Sequence, residues 1–556
     1  MRKIFIILLC CIAVLTAGYA GYRSYRVWKN KHLMSLAHDF LAKSDARNAA
    51  LSAQEVLRSD PNNLDATRMM AQFAEASRSP TALLWRGRVV ELAPHSLDDR
   101  LALAQTALTM RDYATATNAL EGVNTADKGK AAFHNIAGAV AAAANKPSEA
   151  EAHFLEATRL EPHNPAPQLN LAVVRLHGTN ALDLAEARIV LQRLASNPTN
   201  SGLRCQALRE LTLDAMGNKH QDAGLALSKQ LVQETNSAFT DRILRLEVLL
   251  ETKSADFKPA LATCQLEAAT NQSKIYELGT WEMAKTSPTN ALAWLRSLPL
   301  STQTNQPATL LVAECYTASK DWRGLQAWLE KQHWAELEFL RHAFMTRALR
   351  GQELADTAKT EWEQALKSAN SQKQSLVMLL RLAAQWNWVN EGEDLLQTIV
   401  NRYPQEKWAT QALTQTMFAG GQTRSLMQLF SQELKRTPSD LTAKNNLAMI
   451  ALLLDAKELK PHDLAREVYQ QAPTNSSFAA TYAFSLYVQG KSAEALKVMR
   501  QIKPQDLESP SIAGYYGIIL KATGGGASAG VYLEKASKAA LLPEERKLFA
   551  QAKAGT

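Results

Sequence analysis

Cysteine is scarce, with five in 556 residues. Cys10 and Cys11 share an apolar run near the start, while Cys205, Cys264 and Cys315 stand alone and far apart. No pair has metal-site spacing, and three isolated thiols build no disulfide framework, so buried core positions are their expected role. HExxH is missing and the eleven histidines are scattered singly, which leaves a zinc hydrolase without support. Glycine (24) and proline (19) sit mostly at turns, as an all-helical chain requires. The densest glycine stretch, "GGGASAG" at Gly524 to Gly530, lacks the Lys-Ser/Thr that follows a phosphate loop and any strand before it. It is expected to be a turn. A charge surplus is missing too, once charge is located. Of the net +8, Arg2, Lys3, Arg23, Arg26, Lys29 and Lys31 all precede the first acid, Asp39, and the remaining 56 basic residues face 54 acidic ones. So neutral a body carries no electrostatic footprint for nucleic acid. No cofactor and no catalytic set is called for, and the chain is expected not to be an enzyme.

What the sequence does contain is a period. In "SEAEAHFLEATRLEPHNP", residues 148 to 165, Ala150, Phe154 and Ala157 lie four and then three apart, and Pro162 follows. A helix stacks those three on one face: alanine lets a neighbouring helix approach, phenylalanine fills the space beside it, and proline ends the run. Ala137, Gly138 and Ala141 mark a second small-faced helix upstream, beyond the turn "ANKPS". The same order recurs at Ala116, Leu120 and Val123, at Ala358, Trp362 and Ala365, at Leu426, Phe430 and Pro438, and at Ala529, Leu533 and Ala536. Frame starts fall near residues 30, 63, 97, 131, 165, 272, 306, 339, 373, 407, 441, 476 and 510. The gap from 165 to 272 leaves room for two poorly conforming units, which gives about fifteen in all.

A period near 34 with this small, aromatic, small, proline order resembles the tetratricopeptide repeat family, over roughly residues 30 to 542. Single motifs are degenerate, with leucine often standing where the family has tyrosine or alanine. The resemblance implies an all-α solenoid of stacked helix hairpins that binds protein or peptide on a concave face. The expected organisation is an anchor and basic flank over 1–29, repeats over 30–201, degenerate repeats over 202–271, repeats over 272–542 and a capping helix over 543–556. The charged "PEERKLFAQAKAGT" at the end speaks against arrays docking end to end; homo-oligomerisation is otherwise open.

Residues 4 to 22, "IFIILLCCIAVLTAGYAGY", carry no charge and are flanked by cations. Nineteen helical residues span about 28 Å, close to a bilayer's apolar thickness, and Tyr19, Tyr22, Tyr25 and Trp28 supply interfacial aromatics. A transmembrane anchor is therefore expected, with a cleaved export signal ending at Ala20 as the rival reading. Cations on both flanks leave the side of the membrane open, and the export-like layout leans towards an extracytoplasmic body. The functional expectation that follows is a bacterial membrane-anchored scaffold, serving envelope or secretion complexes. Its alternatives are an enzyme-system accessory with a site hidden in 200–271, or a self-associating structural protein.

Two features mark candidate binding surfaces. Nine of the eleven tryptophans fall between Trp281 and Trp408, where core filling is expected for most and an exposed groove for the rest. Arg347 and Arg381 lie 34 apart, hence at equal places on successive first helices; Arg350 is one turn from Arg347, and Gln415 continues the ladder. Such a strip would take an acidic or carboxylate-bearing segment of a partner, unless neighbouring glutamates such as Glu353 or Glu361 neutralise it. Asparagines on first helices, in "AFHNIAG" and at Asn445, are expected to be solvated surface.

Overall fold

The computed structural model of the chain describes residues 2–77, 79–197 and 200–554, with side chains from residue 21 onward except those of 22 and 527. The described residues form helices and turns and no strand. Two compact units, Met1–Leu311 and Val312–Thr556, divide the chain, and the boundary falls inside the helix Ala308–Ser319. Each is an all-α solenoid of two-helix hairpins, fifteen in total among the described residues. First helices begin at Leu64, Leu97, Ala131 and Pro165 in the first unit, and at Lys373, Lys407, Leu441, Ser476 and Pro510 in the second. The sequence period places each of these starts within a residue.

One hairpin shows why the order of residues matters. Ala131–Ala143 and Pro147–Leu160 pack so closely that Ala150, Phe154 and Ala157 are at most 2% exposed. The Phe154 ring lies over Gly138, where a Cβ would come within 2.7 Å of Cε1. Any larger residue there would displace the ring or the helix. Asn164 then caps the next helix, its side chain accepting from the Ala166 amide at 3.0 Å.

The turn inside most hairpins follows one pattern. A left-handed residue ends the first helix at Lys320, Glu353, Asn387, Gly421, Asp455, Gly490 and Gly524, and the same device appears at Ser44, Arg111 and Asn145. The next amide reaches back five residues, as from Leu354 to the Leu349 carbonyl at 3.0 Å and from Trp388 to that of Ala383 at 2.8 Å. These bonds satisfy carbonyls that the helix end would otherwise orphan. Gly524 is such a turn, and the glycine stretch after it enters the helix Gly526–Ala536.

The stretch that breaks the sequence register still folds as hairpins: Ser201–Gly217 with Gln221–Gln233, then Phe239–Glu251 with Phe257–Ala268. Its first helix has 17 residues where its neighbours have 12 or 13. Polar locks stand in for part of the small-residue pattern. Arg209 donates to both oxygens of Asp241, at 2.7 and 3.1 Å, and Asp241 is fully buried; Arg204 donates through Nε and Nη2 to one oxygen of Glu234, at the end of its own hairpin. Cys205, Cys264 and Cys315 are buried, and burial raises the Cys264 thiol to about 11.

Two expectations need correction. The apolar run 4–22 belongs to one continuous helix, Arg2–Ala42, and nearly all of its side chains lie outside those described. No helix of the described residues is long and apolar enough to cross a membrane. From residue 21 on, the helix carries Arg23, Arg26, Lys29 and Lys31, and it packs Met34 and Ala37 against Ala49, Ala53 and Val56 of Ala46–Ser59. It serves as the first helix of the first hairpin. A single-pass membrane location is therefore not upheld. Asn445, expected on the solvated surface, is 6% exposed.

Candidate functional site

The tryptophan-rich segment lies mostly in the second unit. Among its nine tryptophans, Trp281, Trp294, Trp328, Trp334, Trp362, Trp386 and Trp388 are buried, Trp322 is half-buried and Trp408 is 43% exposed. Trp362 sits between Ala358 and Ala365 in Ala355–Ser368, the place that Phe154 holds in its own hairpin. Rings in the second unit touch in series: Trp328 on Trp334 at 6.3 Å, Trp334 on Phe344 at 6.1 Å, Phe344 on Trp386 at 5.3 Å, Trp386 on Trp388 at 4.8 Å. Edge and tilted contacts of this kind add about 0.5–1.5 kcal/mol per pair to the area they bury.

Arg347, near the end of Glu338–Gly351, lies in this aromatic nest. Its guanidinium carbon is 5.3 Å from the Trp322 ring, 5.8 Å from Trp386 and 6.0 Å from Trp388. Its Nε is buried without a hydrogen-bond partner, and no carboxylate among the described residues pairs with it. Burial, and then the neighbouring Arg350 cation, draw its pKa below the usual arginine value. Arg350 stacks over Trp388 at 4.0 Å and is neutralised by Glu391. The two glutamates named as neutralisers do other things. Glu361 accepts from His342 at 2.6 Å, and Glu353 is the left-handed turn residue.

Arg381 is brought to a different place. It borders an open groove of about 620 Å³ between the first helices Lys373–Gln385 and Lys407–Ala419, with Val377, Met378 and Trp408 among the lining residues. Arg381 is exposed, and no ion pair or hydrogen bond engages it among the described residues. Gln415 is exposed on the same helix as Trp408 and does not line that groove. In the first unit, Asn170 donates to Asn135 at 2.9 Å, and Asn135 lines a smaller groove of about 370 Å³. No group of three or more His, Cys, Asp or Glu suited to holding a metal ion occurs among the described residues.

The aromatic surroundings of Arg347 were not foreseen. The signal for them was a tryptophan beside the inter-helix turn of the hairpins on either side, Trp322 and Trp388. The Glu406 link between Lys373 and Trp408 was also missed.

Two-helix units of about 34 residues, packed small against aromatic and closed by one recurring turn, define the class. The architecture is that of a tetratricopeptide-repeat array. No family model matches the sequence, and no curated protein does. Solved structures with a similar helical arrangement include PilF of Pseudomonas aeruginosa, 15% identical over 41% of this chain and 99% of that one, with a TM-score of 0.32. The Cut9–Hcn1 heterotetramer of the APC/C matches at 13% identity over 94% of this chain and 99% of that one, with a TM-score of 0.29. Naa15/Naa10 bound to HypK-THB matches at 11% identity over 97% and 93% of the two chains, with a TM-score of 0.32.

Proposed function

We propose that the protein is a non-enzymatic scaffold that holds protein partners along the first helices of its hairpins, with an acidic or carboxylate-bearing segment lying on Arg347, Arg350, Arg381 and Gln415. One observation carries this reading. Among the described residues Arg347 and Arg381, at equal places in adjacent hairpins, both lack a carboxylate, whereas Arg350, and Arg68 and Arg209 between hairpins of the first unit, have one. A half-buried guanidinium without a counter-charge favours an incoming anion, because its burial has already been met by the fold. Gln415 would add a neutral hydrogen bond further along.

The region 201–268 does not favour an enzymatic reading. Its Arg204 and Arg209 are taken up by Glu234 and Asp241, and its Asp214 by Arg188 of the preceding hairpin.

The test is cross-linked partner capture by the full chain, compared with an Arg347→Gln/Arg381→Glu variant. Capture is expected to fall in the variant, and to fall with added salt in the parent chain, while helical content stays constant. Undiminished capture by a folded variant would sink the reading.

A further inference from the structure

The groove beside Arg381 has features that acidic binding alone does not use. Its base is apolar and half-buried, formed by Val377, Met378 and Leu380. One wall is Trp408, whose indole N–H donates to Glu406 Oε2 at 2.8 Å. Lys373 Nζ donates to Glu406 Oε1 at 2.6 Å. The exposed indole is thus tied in place by a carboxylate that is itself neutralised, and these two bonds hold Glu406 below the usual glutamate pKa. At the other end stands Arg381, exposed and unpaired among the described residues.

We propose that this groove is an anchor site for a partner segment that lays an aromatic or large aliphatic side chain against Trp408 and Met378 and sets a carboxylate, a residue or two away, on Arg381. The inference rests on the scaffold reading above and adds an apolar determinant to it. A fixed, exposed tryptophan offers contact area at little ordering cost, which is why such residues dominate binding energy where they are covered. Methionine beside it adapts to the shape of what arrives. With Lys373 and Glu406 cancelling each other, the unmatched charge at the groove is the single cation of Arg381, and charge complementarity selects one carboxylate. A nucleic-acid strand fits less well. A base stacked on Trp408 would bring its phosphates beside Glu406, and one free cation does not track a polyanion. The volume of about 620 Å³ accommodates one large side chain with its flanking backbone.

The experiment uses the full chain labelled with 5-fluorotryptophan and read by fluorine NMR, with the Trp408 line assigned through Trp408→Phe. The probe is a capped peptide carrying Phe and Asp two residues apart. Its controls replace Phe by Ser or Asp by Asn, and an oligothymidine serves as the nucleic-acid control. The Phe–Asp peptide should shift the Trp408 line saturably, and the Ser control should not. The Asn control, or Arg381→Gln in the protein, should weaken binding by up to about five-fold, the scale of one exposed ion pair. Trp408 and Arg381 are exposed, so both variants should keep the parent helical content. A Trp408 line unmoved by the Phe–Asp peptide overturns the proposal, as does one moved only by oligothymidine. If the peptide shifts the Trp322 or Trp388 lines instead, the anchor site fails while the scaffold reading stands.

Discussion

The two units hold themselves together over different distances. In the first, side-chain hydrogen bonds run from one hairpin to the next, as from Arg68 to Asp99, Arg209 to Asp241 and Lys285 to Glu247. In the second, such neighbour bonds exist as well, for example Lys373 to Glu406 and Tyr469 to Gln501, but one contact skips several hairpins. The hydroxyl of Thr423, a residue 3% exposed, donates to Glu544 across 121 residues. Gly421 beside it lies in the left-handed region at φ 66°, where a Cβ would stand 3.1 Å from Pro543. The helix Pro543–Ala554 therefore touches both its predecessor, through Phe549 over Gly514, and a turn several hairpins earlier. A solenoid whose units meet only their neighbours behaves as a one-dimensional chain, and damage stays local. A contact that closes a loop over many units couples its two ends.

The sharpest way to break this comparison is to remove one partner of a buried pair in the first unit. Arg209→Ala leaves Asp241 buried with only the Ala238 amide, at 2.8 Å, and the start of its own helix to compensate it. The expected cost is about 3 kcal/mol, at the low end for a broken buried pair. Hydrogen exchange should quicken over 201–251 and leave 131–160 protected. Loss of protection across both stretches would mean that the first unit is not a chain of near-independent neighbours.

The second test asks the opposite of the other unit. Gly421→Ala adds left-handed strain and a tight contact on Pro543, together about 1–2 kcal/mol. Exchange should quicken at 407–436 and also at 543–554. Gly490→Ala is the matched control, because its φ is 78° and a Cβ there meets nothing within 4 Å. It should cost about 1 kcal/mol and act only within its own hairpin. Equal, purely local effects from both substitutions would leave the long-range contact without energetic weight.

What could be read in advance follows the same division. The repeat was legible because two backbones that approach closely need Ala or Gly, and the gap beside them needs one ring: Gly138 and Phe154 show the rule, and Trp362 repeats it. Turn positions followed from the period, although lysine, glutamate and asparagine fill many where glycine would fit with less strain. The Arg347 nest was harder to see, since it gathers rings from two hairpins around an arginine of a third and no single helical face displays them together. The Thr423–Glu544 contact was out of reach. It depends on the twist accumulated over several hairpins, which a 34-residue frame does not encode.

The smallest effect expected is a titration confined to one hairpin of the first unit. His134 and His153 face each other across Ala131–Ala143 and Pro147–Leu160, with Nδ1 atoms 2.9 Å apart. Burial first, and then His134, pull the His153 pKa below its ordinary 6.5, while Glu149 opposes the shift weakly. The unfolded chain, titrating near the ordinary value, takes up this proton before the folded hairpin does. Stability tied to neutral His153 is thus complete above about pH 6.5 and is lost as pH falls from there through the depressed folded value. Hydrogen exchange at 131–160 should quicken between about pH 7 and about pH 5, after correction for the intrinsic rate, more than it does at 97–121. His153→Gln cannot take up that proton and should flatten the dependence. A hairpin whose protection follows the same pH course with glutamine as with histidine would show that the pair does not couple protonation to folding.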